Sequence, residues 1–251
     1  EAAAEGTLPT LITRDDLRGN LHTHTTDSDG RNSIKEMVEA ARARGLEYLA
    51  ITDHSPKVAV VQGLDADALR TQMHEIDRLN ETLDDLRLLK SIEVDILKDG
   101  SLDLPDDVLG ELDLCVCSLH THLGLDEASQ TERVLRAMEN PNFHTFAHPT
   151  GRRINERPPI DINLDRVMEA AVDKGCVFEL NAQPERLDLS DVYCRRAKEL
   201  GLPLVIGADA HWTDGLDYLR YGIDQARRGW LTPDDVLTTK PWDEIADVFD
   251  R

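Results

Sequence analysis

The chain has 251 residues, 40% of them hydrophobic, and a formal net charge of −21. That length buries a sizeable core as one barrel-type domain or two smaller ones. No apolar run approaches the roughly 20 residues that cross a bilayer, so no membrane partner is expected. No signal-peptide pattern opens the chain, and four cysteines without a Cys-x-x-Cys pair fit a reduced, cytoplasmic compartment better than a disulfide framework.

In chain order, residues 1–16 are small, polar and acidic, and are read as a linker remnant ahead of one domain over 17–251. "DLRGNLH" (16–22) is the first expected strand. It runs into His22 and His24, with Asp27, Asp29 and Gly30 close behind. A helix over 33–45 follows, with Ser33 as N-cap, Glu36 at the capping-box position and Gly45 as the stop. The next strand, 47–52, ends at Asp53 and His54. A helix over 67–83 leads to a strand over 86–94, which ends at Glu93 and Asp95. The strand over 112–119 ends at His120 and His122. After a helix over 129–140, the strand 143–147 ends at His148. Helix 165–175 and strand 176–180 bring Glu179 and Asn181. Helix 189–201 and strand 203–208 bring Asp209 and His211, and a helix over 216–229 follows.

Alternating strand and helix implies parallel βαβ units. Seven such strands close naturally into a barrel, whose strand C-termini converge on one rim. Each expected strand ends in a ligand-type or polar residue, so residues far apart in sequence are expected to meet there. Imidazole and carboxylate groups bind Zn, Mn or Fe without cysteine. His-x-His on an extended segment turns both rings to one side. About nine such ligands exceed the roughly four to six that one ion takes, which implies two or three divalent ions. Multi-metal sites suit phosphoester hydrolysis, and a carboxylate such as Glu93 can bridge two ions. With no Gly-rich phosphate loop and no serine elbow, metal-bound hydroxide is the expected nucleophile.

The stretches "GNLHTHTTDSDG", "YLAITDHS", "IEVDILKDGSLDLPD", "SLH", "AHPTGR", "ELNAQPERLDL" and "GADAH" together resemble the PHP (polymerase and histidinol phosphatase) domain. The closest likeness is to the C-terminal PHP domain of bacterial and archaeal family X DNA polymerases. The resemblance covers roughly residues 17–232. It implies a distorted (βα)7 TIM-like barrel with three metals at the C-terminal rim. By position, His22, His24, Glu93 and Asp209 would hold one metal. Glu93, His120 and His148 would hold a second, and Asp29, His54 and His211 a third. Glu93, Asp209 and His148 are the residues expected to carry catalysis. The implied activity is Mn-dependent 3′→5′ exonuclease action on DNA ends, with an upstream polymerase domain as partner. A histidinol-phosphatase-like phosphomonoesterase is the alternative, and a non-catalytic module or an amidohydrolase-like barrel are further ones.

Arg152, Arg186 and Asn181 are expected to bind substrate, since an arginine fork matches phosphate oxygens. Arg153 and Arg157 gather in the same stretch, "GRRINERPP" (151–159). Asp53 is read either as orienting a ligand or as capping a helix. His122 is read as a rim or surface residue, His74 as helical and outside the site, and His144 as structural. No basic stripe of the kind that tracks duplex DNA is visible.

Overall fold

The computed structural model describes residues 2–57 and 62–250. Its strands are β1 (Gly19–Asn20), β2 (Tyr48–Ile51), β3 (Arg87–Lys90), β4 (Glu93–Asp95), β5 (Val116–Ser118), β6 (Thr145–Phe146), β7 (Val177–Asn181) and β8 (Leu204–Gly207). Its α-helices are α1 (Ala2–Glu5), α2 (Ile34–Ala43), α3 (Ala66–Asn80), α4 (Asp106–Leu109), α5 (Glu127–Ala137), α6 (Leu164–Lys174), α7 (Asp191–Leu200), α8 (Leu219–Arg228) and α9 (Trp242–Ile245). The expected capping box forms at α2, where the Ser33 hydroxyl accepts the Glu36 N–H and Glu36 accepts the Ser33 N–H. α6 and α7 stop at Gly175 and Gly201, which take the left-handed conformation that glycine adopts without strain.

All strand pairs are parallel, but the expected seven-stranded closed barrel is not what forms. The strands make a three-stranded sheet, β1-β2-β3, and a five-stranded one, β4-β5-β6-β7-β8. The expected single strand at 86–94 is divided because it changes partner. Its first half ladders with β2, and its second half, from Glu93, ladders with β5. A lone bridge, His54–Glu93, continues across the gap in the register of the β2–β3 ladder. At the other seam, Thr23 bridges Ala210. There the Asn20 side chain stands in for a ladder bond, accepting the Ala208 N–H at 2.7 Å and donating to the His22 carbonyl at 2.9 Å.

Side chains alternate along each strand, and the two faces feed two separate apolar clusters. Cys115, Cys117, Phe146 and Phe178 pack with helix residues such as Met37, Leu69, Val134, Met168 and Ala197. Leu21, Tyr48, Ala50, Leu89, Val116, Ala147, Val177 and Val205 gather instead with the C-terminal Leu237, Trp242, Ile245 and Phe249. Trp242 stacks on Phe249 with ring centroids 5.5 Å apart and tilts against Tyr48 at 5.9 Å. The strands' N-terminal halves are therefore sealed by apolar groups, and their C-terminal ends are left for the polar ones. Ile12, in the segment read as a linker, is fully buried and donates its N–H to the Leu231 carbonyl. No helix among the described residues is long and apolar enough to cross a membrane.

Truncating Trp242 to alanine removes the largest ring of the apolar plug. The expected loss is about 3–5 kcal/mol of folding stability. Urea unfolding followed by circular dichroism reads it; an unchanged midpoint would contradict the plug.

Candidate active site

Strand ends deliver the expected residues to one place. Glu93, buried at the head of β4, is its centre. The ring nitrogens of His148 (2.8 Å), His54 (3.1 Å), His22 (3.3 Å), His120 (3.4 Å) and His24 (3.5 Å) surround its two carboxylate oxygens. Asp209 lies 3.1 Å from His24 Nε2 and 3.6 Å from both His22 and His211. Asp29 faces His211 at 3.3 Å, His54 at 3.5 Å and His24 at 3.6 Å. All nine residues expected as metal ligands are thus in one cluster.

Further carboxylates hold these groups in place. Glu179 accepts from His22 Nδ1 at 2.7 Å and from the His148 N–H at 2.8 Å. It fits because residue 207 is glycine: a Cβ there would stand 2.1 Å from the Glu179 oxygen. Asn181 Nδ2 ties Glu179 to Asp209, at 3.1 and 3.0 Å. Asp95 accepts the His120 N–H at 2.9 Å. Asp53 orients rather than caps: it accepts from Thr25, Ser28 and the Gln72 amide, and so fixes the loop that carries Asp29. His148 (φ 29°) and Asp209 (φ 51°) take left-handed backbone, a conformation that costs on the order of 1–3 kcal/mol and persists only where the surroundings over-determine it. The bonds from Glu179 and Asn181 are part of what holds it.

The donor set fits divalent metal ions. His22 Nε2, His24 Nδ1 and His54 Nδ1 are buried without a hydrogen-bond partner, an expense that proteins avoid unless something else occupies the lone pair. Three groups offer converging ligand atoms: His24, Asp29, His54 and His211; His22, His24 and Asp209; and His54, Glu93 and His120. His24 and His54 each belong to two of these, and a neutral imidazole has only one free lone pair.

The charges are strongly coupled. Burial opposes charge on Glu93, but His120, His22 and His54 outweigh it and hold its pKa well below the usual carboxylate range. Asp209 is held low in the same way, by His22 and His24. Burial also opposes charge on His120 and His211. Glu93 and Asp95 nevertheless push His120 up to about 9, and Asp29 and Asp209 push His211 up to about 9. Burial, with His211 and His54 nearby, lowers His24 to about 3.

A cavity of about 310 Å³ opens onto the cluster, lined by Asp29, His54, Glu93, His120, His148, Asp209 and His211, with Leu123, Arg153, Arg157 and Arg186. Arg186 Nε lies 3.7 Å from Asp209. Two expected substrate residues do not line it. Arg152 is turned away, its guanidinium donating to the backbone carbonyls of Arg186 and Leu187. Asn181 is fully buried behind Asp209. Arg153 and Arg157, from the same stretch, stand at the cavity instead. Glu179 and Asp95 are the positioning residues that a ligand inventory leaves out. Both sit at strand ends with even spacing from a core or site residue, which is the signal that marks them. His74 is exposed, and His144 accepts the Cys115 N–H through Nδ1 at 2.8 Å, so both lie outside the centre.

Parallel strands that end in a ring of imidazoles around one buried carboxylate suit a metal-dependent hydrolase. More particularly, the chain belongs to the PHP domain family, whose model matches residues 20–148. It is 41% identical over 241 residues to the DNA polymerase/3′-5′ exonuclease PolX of Bacillus subtilis, covering 96% of this chain and 42% of that protein's length. It is 28% identical to a probable phosphatase of Thermoanaerobacter sp., over 88% of this chain and 89% of the relative. Among solved structures, the putative histidinol phosphatase of Listeria monocytogenes aligns with a TM-score of 0.62 at 17% identity, over 79% of this chain and 97% of that one. The histidinol phosphate phosphatase of Lactococcus lactis, complexed with zinc, L-histidinol and phosphate, aligns at 0.58 and 17%, over 83% and 93%. These two likenesses speak for the fold.

Two outcomes follow for metal binding. His120 and His211 hold protons up to about pH 9 in the metal-free chain, and coordination must displace them. Metal affinity therefore rises between about pH 7 and pH 9, and uptake at pH 7 releases protons. Isothermal titration in buffers of differing ionisation enthalpy measures the release; identical heats in every buffer would contradict it. Glu179→Gln touches no proposed ligand atom but loosens His22 and His148. It is expected to weaken metal affinity by about 10–100-fold, read by chelator competition, whereas an unchanged affinity would remove Glu179 from the design.

Proposed function

We propose that this chain hydrolyses phosphodiesters at the 3′ ends of DNA, as a metal-dependent 3′→5′ exonuclease with a trinuclear centre. The observation that carries the reading is Glu93: one buried carboxylate within 3.5 Å of ring nitrogens from five histidines, beside a cavity that Arg153, Arg157 and Arg186 also line. The ligand sets implied by the family are consistent with this geometry. His22, His24, Glu93 and Asp209 would hold one ion, Glu93, His120 and His148 a second, and Asp29, His54 and His211 a third. His24 then serves the first ion, and its contact with Asp29 gives way. The strand ends would sit in a barrel-like ring, with the Thr23–Ala210 and His54–Glu93 bridges at its two seams.

Zn, Mn or Fe all suit these donors, with Mn the expected ion for nuclease action; when bound, such ions activate water at neutral pH and draw charge from phosphate oxygens. The chain's own groups do the rest. Glu93 and Asp209 keep their negative charge in a buried place and so fix cations close together. His148, locked by Glu179, keeps its Nε2 directed at Glu93. Arg186, Arg153 and Arg157 line the cavity, and their positive charge would draw an anionic phosphate in and shield it. The exonuclease assignment draws on the Bacillus relative, of which this chain spans 42%; the remaining length would include the polymerase domain expected upstream.

A second reading, phosphomonoester hydrolysis, is favoured by the probable phosphatase that matches nearly end to end and by a cavity of about 310 Å³, ample for a small phosphoester.

The test uses a 5′-labelled single-stranded oligonucleotide with Mn²⁺, and Glu93→Ala beside it. A ladder shortening from the 3′ end, lost in the variant, is the expected result. An intact oligonucleotide, together with hydrolysis of a small phosphomonoester, would overturn the exonuclease in favour of the second reading.

A further inference from the structure

A second cavity, of about 400 Å³, lies in the neighbouring sector of the rim and is lined by Lys57, Leu97, Lys98, Asp99, Thr121 and His122. Its walls are the continuations of three strand ends that supply the metal cluster. Lys57 follows His54 by three residues, Lys98 follows Asp95 by three, and His122 follows His120 by two. The same chain segments thus carry a ligand inward and a cationic or imidazole side chain outward.

This cavity is built on a rigid base. Arg133 is the largest fully buried side chain of the protein. Its guanidinium donates to the carbonyls of Leu97 (2.8 Å) and Thr121 (2.9 Å), and also to that of Ile96. Arg136 holds the Asp99 carbonyl. Gly100 (φ 89°) lets the loop press against α5, where a Cβ would stand 2.8 Å from the Arg133 carbonyl. Thr121 is tied to Asp95, which also positions His120. Desolvating a guanidinium costs several kcal/mol unless its donors are satisfied. Here, apart from one bond to Gln130 on α5, that hydrogen bonding is directed at the two loops that present Lys98 and His122.

The charge balance says what the cavity takes. The chain has 49 acidic residues against 28 lysines and arginines, so an exposed cation has carboxylates in excess to pair with. Neither Lys57 nor Lys98 forms a side-chain ion pair among the described residues. The acids close by are oriented by other hydrogen bonds, though they keep their charge: the Asp99 carboxylate accepts from the Ser101 N–H and hydroxyl, and Asp103 accepts the Lys57 backbone N–H. Lys98 and His122, on loops fixed by a buried arginine, join Lys57 around one cavity; Asp99 and Asp103 offset part of the charge but close no ion pair with either ammonium, which leaves donors for an anion from outside the protein.

We infer that the Lys57–Lys98–His122 cavity binds backbone phosphates of a single DNA strand whose terminal phosphodiester lies at the metal cluster. The inference rests on the nuclease reading of that cluster. Arg153, Arg157 and Arg186 face the terminal nucleotide's phosphate, and Lys57 and Lys98 hold the strand on its 5′ side. A phosphomonoester has no group that reaches them. The cavity therefore separates polynucleotide from small-ester substrates at one centre.

The experiment compares wild type with Lys57→Ala/Lys98→Ala. The first readout is fluorescence anisotropy of a labelled oligothymidine across a salt series, without added metal. The second, with Mn²⁺, is 3′-end degradation of the same strand and hydrolysis of p-nitrophenyl phosphate. The expected result is a tenfold or greater loss of strand affinity, and a salt slope shallower by about 1.4, from roughly 0.7 per phosphate contact on a single strand. KM for the strand rises, and the small ester is hydrolysed as before. Unchanged affinity and slope, with normal degradation, would overturn the cavity while leaving the nuclease standing. An equal loss on both substrates would overturn it too, since that marks damage to the cluster. Lysine-dependent strand binding without degradation by the wild type would overturn the nuclease reading and leave the cavity as a strand-binding site.

Discussion

A carboxylate stripped of water is the constraint around which the molecule is arranged. Burying Glu93 uncompensated would cost several kcal/mol, and it is almost entirely inaccessible. The histidine rings around it outweigh that cost and keep Glu93 ionised, but the conflict then passes to the rings themselves. In the metal-free chain His120 carries a proton, while His24 is driven neutral, with a pKa of about 3. Five or more imidazoles cannot all be charged within a few ångströms of one another, and they cannot all be hydrogen-bonded there either; the unpartnered nitrogens of His22, His24 and His54 are the residue of that conflict. Divalent cations resolve it, because they need neutral imidazole and anionic carboxylate together.

The scaffold bears the expense by dividing each strand. At one end the inward residues are apolar, and Trp242 and Phe249 close them off from water. At the other end the same period of two brings Glu93, Glu179, Asn181 and their neighbours to the rim. Val177, Glu179 and Asn181 on β7 show the change within a single strand: one joins the apolar cluster, the next grips His22, the third grips Asp209. Left-handed backbone at His148 and Asp209 is tolerable because that shared carboxylate network holds both ends of it.

Much of this was legible in the sequence. Strand-end chemistry depends only on where apolar runs stop, so eight of the nine residues expected as ligands could be gathered at one rim before any coordinates; Asp29, in a loop, was supplied by the family resemblance. The helices were placed to within a few residues because Ser33, Gly175 and Gly201 are local signals of capping. Strand pairing is not local. Nothing in "LRLLKSIEV" tells that the chain exchanges β2 for β5 near Ser91, so one expected strand became two and the closed barrel became two sheets. Side-chain direction in a loop is equally invisible. In "GRRINERPP" the arginines look interchangeable, yet Arg152 is turned to the carbonyls of Arg186 and Leu187, whereas Arg153, paired with Glu156 and Glu185, and Arg157, held by the Gly151 carbonyl, line the cavity.

The strongly acidic surface also acquires a reason. A net charge of −21 raises the local concentration of divalent cations and opposes the approach of a polyanion. Under the nuclease reading proposed above, an enzyme that needs both would confine its positive charge to the path of the substrate. The rim follows that rule. Arg186 stands beside Asp209, Arg153 and Arg157 enclose the cavity, and Lys57 and Lys98 remain without carboxylate partners in a chain that has acids to spare. Most other arginines, such as Arg18, Arg44, Arg70 and Arg196, are neutralised in ion pairs with Glu47, Asp217, Glu111 and Asp165. What distinguishes the site electrostatically is therefore the placing of its cations and not their number, which is why no basic stripe can be read from composition.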